Sequence, residues 1–189
     1  MPATASTMLD LGTPCPAFDL PDFGAASAGA GRVARADLVG SPATVVMFIC
    51  NHCPFVHHVQ ASLVGLAAEF TGEGVRFVAI NSNDVAAHPD DAPEAMVRDA
   101  KKHGYSFPYL FDETQEVAKA FNAACTPDFF VFDKDLLLTY RGQLDSTRPR
   151  SGDTSSGEDL RAAIRATLAG EAIEQQTPSM GCNIKWKPG

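Results

Sequence analysis

Residues 43–70 read ATVVMFICNHCPFVHHVQASLVGLAAEF, and this stretch decides the fold. Residues 43–49 form a continuous β-branched and apolar run, which predicts a strand buried on both faces. Pro54 suits the first position of a helix, and apolar residues then recur at helical spacing until Gly72. The pattern therefore predicts Cys53 at the junction between a buried strand and a helix.

Strand and helix patterns alternate along the rest of the chain. Two strand–helix units followed by a hairpin and a last helix fit an α/β sandwich around a mixed sheet. The lead-in predicts a short edge strand within 12–22, followed by a Gly/Ala loop over 24–32. The remaining strands are predicted over 75–80, 107–111, 128–132 and 136–141, and the remaining helices over 92–103, 113–122 and 158–168.

Composition and charge narrow the class of protein. A chain of 189 residues with 45% hydrophobic and 20% charged residues suits one folded domain, 1–189. The net charge of -8 argues against nucleic acid as a partner. Residues 1–14 lack the features of a signal peptide, and no stretch reaches the roughly 18 apolar residues of a membrane helix. We therefore predict a cytoplasmic protein that does not bind membranes.

The chemistry centres on residues 50–55, CNHCPF. A thiol at a helix start faces unpaired backbone N–H groups and the positive end of the helix dipole, which favour thiolate over thiol. Cys53 is therefore the candidate nucleophile, and His52 beside it adds positive charge when protonated. The alternative interpretation is that Cys50 and Cys53 are buried core cysteines. Cys15, in a proline-rich lead-in, is interpreted as structural.

A second candidate segment is Cys125-Thr126-Pro127, directly before a predicted buried strand. A proline at such a position is often cis, and the extended backbone before it is available to pair with a bound peptide. Thr126 and Pro127 are therefore predicted to bind substrate, together with His52 and Pro54. No Gly-rich phosphate loop is present in the sequence, so no organic cofactor is expected.

The order of these elements resembles the thioredoxin superfamily. The strand–Cys–helix junction and the Thr-Pro before a strand carry this resemblance, and residues 14–20 and 37–40 resemble the start of its redoxin branch. Three segments resemble a peroxiredoxin-like subgroup known as thioredoxin family protein: 48–55, 125–130 and 181–186. The resemblance implies a thioredoxin-like three-layer sandwich with an N-terminal extension, a core over about 10–170, and a packed tail over 171–189.

The resemblance also implies roles for the cysteines. Cys53 aligns with the first cysteine of the thioredoxin pair, and Val56 occupies the position of the second. Another thiol must then resolve a mixed disulfide, and the order of preference is Cys125, then Cys182, then Cys50. The Pro and Thr or Ser that precede a peroxidatic cysteine are replaced here by Val46 and Cys50, which argues against an efficient peroxidase.

The sequence thus predicts a thiol–disulfide oxidoreductase acting on a protein or small-molecule disulfide with a thiol reductant. One alternative is a peroxiredoxin-like peroxidase acting on a hydroperoxide, and another is a redox sensor without turnover. A metal-binding module is less favoured because its candidate ligands lie along a strand end and a helix: Cys50, His52, Cys53, His57 and His58. Asp90 and Asp91 are interpreted as an ordinary acidic helix start. The oligomeric state stays open.

Overall fold

The computed structural model describes residues 3–188. Its helices are α1 (Pro54–Thr71), α2 (Pro93–His103), α3 (Glu116–Ala120) and α4 (Glu158–Ala169). Its strands are β1 (Thr4–Ala5), β2 (Asp19–Asp22), β3 (Gly31–Ala34), β4 (Ala43–Phe48), β5 (Arg76–Asn81), β6 (Tyr109–Phe111), β7 (Cys125–Thr126), β8 (Asp128–Asp133), β9 (Leu138–Gly142) and β10 (Met180–Asn183).

The main sheet has seven strands in the order β3-β2-β6-β5-β4-β8-β9. The central strand β4 runs parallel to β5 and antiparallel to β8, so the sheet is mixed. Every residue of β4 is buried, as the continuous apolar run predicts. Since β4 leads into α1, the residues between them lie at the carboxyl edge of the central strand.

Side chains alternate between the two faces of the sheet and fill two separate cores. Val45 and Met47 of β4 point into one core, which α1, α2 and α4 cover. Val46 and Phe48 point into the other core, to which α3 contributes. Helices on both faces of a mixed sheet make three layers, which confirms the predicted α/β sandwich.

A second, three-stranded sheet joins both ends of the chain in the order β1-β10-β7. The tail strand β10 pairs antiparallel with β7, and β1 pairs with the other edge of β10. Ile184, just after β10, is buried in the second core. The predicted packing of the tail onto the domain is therefore confirmed.

The sequence-based prediction missed the shortest strands. Strand β3 begins inside the predicted Gly/Ala loop and pairs with β2 over four residues. Strands β1, β7 and β10 hold two to four residues each, too few for a periodic pattern, and they exist because distant segments pair. Within residues 3–188 no helix combines the length and the apolar character needed to cross a membrane.

A fully buried ion pair lies beneath the second sheet. Arg141 Nη2 and Asp128 Oδ2 are 3.1 Å apart, and neither side chain is exposed. Arg141 also donates to the Asn122 carbonyl oxygen at 2.6 Å and lies over the ring of Phe130. Burial raises the pKa of Asp128, while Arg141 lowers it. Removing one charge of a buried pair strongly destabilises the fold, because the other charge then stays buried without an opposite charge beside it.

We expect Asp128→Asn to lower the free energy of unfolding by about 3–5 kcal/mol, because it leaves the Arg141 charge buried and unpaired. The matched control is Asp135→Asn, whose partner Lys134 is exposed, and a change below about 1 kcal/mol is expected there. Urea unfolding measures both. Equal losses in the two variants would contradict the importance of the buried pair.

Candidate active site

Cys53 lies between the end of β4 and the start of α1. It is the N-cap residue of α1, with extended backbone angles of φ -78° and ψ 121°, and Pro54 follows in the first turn. A proline costs no hydrogen bond there because the first helical N–H groups have no partner within the helix. The local sequence therefore places the Cys53 sulfur at the positive end of α1.

Hydrogen-bond donors surround this sulfur. The pKa of Cys53 is lowered to about 4, chiefly by a hydrogen bond from the Cys50 thiol, against the opposing effect of burial. The Cys182 thiol, the Val56 backbone N–H and the Thr126 side chain lower it further. The Thr126 carbonyl oxygen, 3.1 Å from Cys53 Sγ, accepts only from the protonated thiol. The donors outweigh burial, so Cys53 is a thiolate at neutral pH.

The neighbouring thiols stay protonated. A hydrogen bond to Cys53 raises the pKa of Cys50 well above its usual value, and burial acts in the same direction. Burial raises the pKa of Cys182 to about 11, and its hydrogen bond to Cys53 adds to this shift. The site therefore holds one ionised sulfur between two thiol donors.

Cys125 is close to the site, but its hydrogen bonds are directed elsewhere. Its sulfur lies 3.6 Å from the Pro127 carbonyl oxygen and 4.0 Å from that of Ser179. Burial raises the pKa of Cys125 far above its usual range. The cysteine that the sequence ranked first as the resolving thiol is thus not one of the two that lower the pKa of Cys53, because its own thiol donates to the carbonyl oxygens of Pro127 and Ser179.

Thr126 and Pro127, which the sequence predicts to bind substrate, lie next to the cysteines. Thr126 Oγ1 is 3.4 Å from Cys50 Sγ, and the Thr126–Pro127 peptide bond is cis. Both residues are buried, whereas Pro54 is exposed. Cys15 lies in the second core, and burial raises its pKa to about 12, as expected for a structural cysteine.

His52 pairs with a carboxylate that follows the next strand of the sheet, that of Asp91. Asp91 is fully buried, and its Oδ2 lies 2.7 Å from His52 Nδ1. It also accepts from the Asn51 backbone N–H and the Asn83 side chain, both at 2.8 Å. Asp90 and Asp91 do lie in the first turn of a short 3₁₀ helix, Pro89–Asp91, as expected for an acidic helix start. The contacts that Asp91 makes with His52, Asn51 and Asn83 were not expected from the sequence. The polar residues 81–84 at the end of β5 could have indicated such contacts. Strands β4 and β5 are parallel, so their carboxyl ends meet at one edge of the sheet, next to residues 50–53.

The structure brings together a different set of candidate metal ligands, of which two were proposed from the sequence. One ligand atom each from Cys50, His52 and Asp91 lie within 4.8 Å of one another, so these three residues could hold an ion. His57 instead contacts the Asn51 carbonyl oxygen, and His58 lies 2.8 Å from Thr147 Oγ1. The five ligands proposed from the sequence do not converge, because His57 and His58 hydrogen-bond Asn51 and Thr147 instead.

Titration of the reduced protein should show a Cys53 pKa of about 4. Cys182→Ala should raise it because one donor is lost, whereas Cys15→Ala, remote from the site, should leave it unchanged. The rate of iodoacetamide alkylation against pH measures the pKa. Since the folded-state pKa is depressed, the stability that the thiolate contributes is full above pH 9 and is lost as pH falls toward 4. A measured value near 8.5, that of a free cysteine, would contradict this assignment.

Asp91→Asn should lower the pKa of His52, because the hydrogen bond from His52 to Asp91 is the main cause that raises it above 6.5. Asp90→Asn is the matched control, since Asp90 is exposed and its side chain does not contact His52. NMR titration of the His52 ring follows both variants. A raised histidine pKa stabilises the fold fully below pH 6.5, and this contribution is lost as pH rises through the folded-state value. An unchanged His52 titration in Asp91→Asn would refute the coupling.

Comparison with protein families gives a match over most of the chain. The model of the AhpC/TSA family matches residues 11–141. A search among curated proteins found no match.

Comparison with solved structures gives two close relatives. An uncharacterized conserved protein from Geobacillus kaustophilus has 54% identity and a TM-score of 0.95, with 100% of this chain and 98% of that chain covered. A hypothetical protein from Sinorhizobium meliloti 1021 has 45% identity and a TM-score of 0.93, with 98% and 100% covered.

A more distant solved structure is similar in fold. The thioredoxin domain of a thiol-disulfide oxidoreductase from Bacteroides vulgatus has 15% identity and a TM-score of 0.65, with 85% of this chain and 99% of that chain covered. This similarity confirms the thioredoxin-like fold. With the match over residues 11–141, the chain belongs to the AhpC/TSA family, and it is a redox enzyme that works through thiols.

Proposed function

We propose that this protein is a thiol–disulfide oxidoreductase in which Cys53 is the nucleophile and Cys50 or Cys182 is the resolving thiol. The observation that carries the proposal is one sulfur with a pKa lowered to about 4, held at a helix start between two protonated thiols. A thiolate with this environment attacks disulfides, and an adjacent thiol can release the product.

In the first step the Cys53 thiolate attacks one sulfur of a substrate disulfide. A bond forms between Cys53 and that sulfur, the substrate S–S bond breaks, and the other substrate sulfur leaves as a thiolate. His52 is the candidate proton donor to this leaving group. Its Nδ1 is held by Asp91, and its Nε2 is buried without a hydrogen-bond partner among residues 3–188. The hydrogen bond to Asp91 raises the His52 pKa, which keeps more of the ring protonated near neutral pH.

In the second step a neighbouring thiol loses its proton and attacks the Cys53 sulfur. The mixed disulfide breaks, the reduced substrate leaves, and an intramolecular disulfide remains. Cys50 and Cys182 are preferred because both are among the groups that lower the pKa of Cys53. An external thiol reductant then supplies the two electrons and two protons that restore both cysteines. Thr126 and Pro127 are proposed to shape the surface next to the substrate.

A peroxiredoxin-like peroxidase is the second candidate, because the family match includes the segment around Cys53. There the thiolate attacks the outer oxygen of a hydroperoxide, which releases an alcohol or water and leaves a sulfenic acid. The resolving thiol condenses with this group and releases water. Cys50, in place of the expected Thr or Ser ahead of Cys53, makes this the weaker candidate. The cytoplasmic location stays a prediction.

Turnover of a disulfide and of hydrogen peroxide with excess dithiothreitol tests the proposal. We expect disulfide turnover to exceed peroxide turnover, and Cys53→Ser to lower it at least about a hundredfold because the nucleophile is lost. Cys15→Ser is the matched control and should retain activity. Faster peroxide turnover would favour the peroxidase, and oxidation of Cys53 without any turnover would favour a sensor.

Mass spectrometry after mild oxidation identifies the resolving thiol. A Cys53–Cys50 or Cys53–Cys182 disulfide is expected, since these are the two thiols that lower the pKa of Cys53. A Cys53–Cys125 disulfide would instead restore the order of preference drawn from the sequence.

A further inference from the structure

The free edge of β7 would be the natural docking edge for a polypeptide substrate. The Thr126 carbonyl oxygen is 3.1 Å from Cys53 Sγ, so a strand paired with Thr126 passes beside the reactive sulfur. Extended peptides bind proteins by adding a strand to such an edge through main-chain hydrogen bonds. A cysteine opposite Thr126 in the added strand would meet Cys53.

In this protein the tail strand β10 occupies the edge of β7. Strand β10 pairs with β7 so that Cys182 lies opposite Thr126, and Asn183 lies opposite Cys125. Because Thr126 is in contact with Cys53, this register brings Cys182 to the same side of β7 as the reactive sulfur. Cys182 therefore stands where the cysteine of a docked polypeptide would stand, and Cys53 is fully buried beneath it.

The close approach of β10 depends on a glycine. A Cβ atom at Gly181 would lie 2.0 Å from the Thr126 carbonyl oxygen and 2.5 Å from its carbon. Both are backbone atoms, which cannot move aside as a flexible side chain would. Any larger residue at position 181 must therefore displace β10 from β7.

Hydrogen bonds hold the tail at both ends of β10. Before the strand, Ser179 Oγ donates to the Gly142 carbonyl oxygen at 2.6 Å. After it, the Lys185 N–H donates to Asn83 Oδ1, and the Gln115 side chain donates to the Lys185 carbonyl oxygen, both at 2.8 Å. Strand β10 is thus held in place by hydrogen bonds to the rest of the domain.

We propose that β10 is an internal occupant of the polypeptide-binding edge, which is the edge of β7. The protein then reduces small disulfides while β10 is in place, and it reduces polypeptide disulfides only when β10 has left this edge. The inference rests on the proposed oxidoreductase function and names its substrate class. A groove of about 580 Å³ lies beside the strand–helix junction, where Asn51, His52 and His57 line it and neither Cys53 nor any residue of β10 does. A small molecule can therefore approach the residues next to Cys53 without displacing β10. A polypeptide strand needs the position of β10 itself.

The test compares reduction of insulin, a polypeptide disulfide, with reduction of 5,5′-dithiobis(2-nitrobenzoate), a small disulfide. Gly181→Ala should raise the ratio of insulin to small-disulfide rates at least about tenfold over wild type, because it opens the edge. The ratio cancels changes in Cys53 reactivity that affect both substrates. Gly65→Ala is the matched control, since a Cβ at Gly65 meets nothing within 4 Å, and it should leave the ratio unchanged.

Hydrogen exchange of the backbone amides in β10 reports whether the strand has left. Faster exchange in Gly181→Ala with an unchanged ratio would overturn the inference, as would a wild-type ratio already equal to that of the variant. If Gly181→Ala does not fold, Gln115→Ala replaces it, because this change removes the hydrogen bonds to Lys185 and Lys187 that hold the tail.

The two proposals fail in different ways. Cys53→Ser that still reduces the small disulfide would remove the proposed function itself. Cys53-dependent reduction of the small disulfide with no effect of β10 displacement would remove only the internal-occupant inference.

Discussion

The structure depends on the charge of one buried sulfur being satisfied by its neighbours. Cys53 is buried, which by itself would oppose ionisation. The start of α1 supplies the Val56 N–H, and Cys50 and Cys182 supply thiol donors from β4's end and from the tail. Three separate parts of the chain therefore meet at the sulfur that we propose as the nucleophile.

This arrangement links the reactivity proposed for Cys53 to the pairing of β10 with β7. Strand β10 brings Cys182 to Cys53 and at the same time covers the edge of β7. The donor that helps to ionise Cys53 thus belongs to the element that restricts access to it. A change that moves β10 alters both properties together, which is why the substrate ratio is more informative than either rate alone.

The pair of His52 and Asp91 adds a second ionisable unit beside the cysteines. Asp91 ends a short 3₁₀ helix that follows β5, and its hydrogen bonds with His52, Asn51 and Asn83 fix the turn that connects β4 to α1. The pair has a structural role in holding this turn. It also holds a protonatable ring next to the site, where a leaving thiolate would need a proton.

The sequence by itself determined the α/β class, the β4–α1 junction and the position of Cys53, because these follow from local periodicity and from Pro54. It also identified Cys50, Thr126 and Cys182 as candidates. Its order of preference put Cys125 first, whereas Cys50 and Cys182 are the thiols that lower the pKa of Cys53, and it did not indicate the contacts of Asp91. Sequence spacing does not give the distance between side chains that long loops bring together. Only the tertiary structure decided that β10 pairs with β7, since a four-residue strand has no pattern of its own and forms through hydrogen bonds to a distant partner.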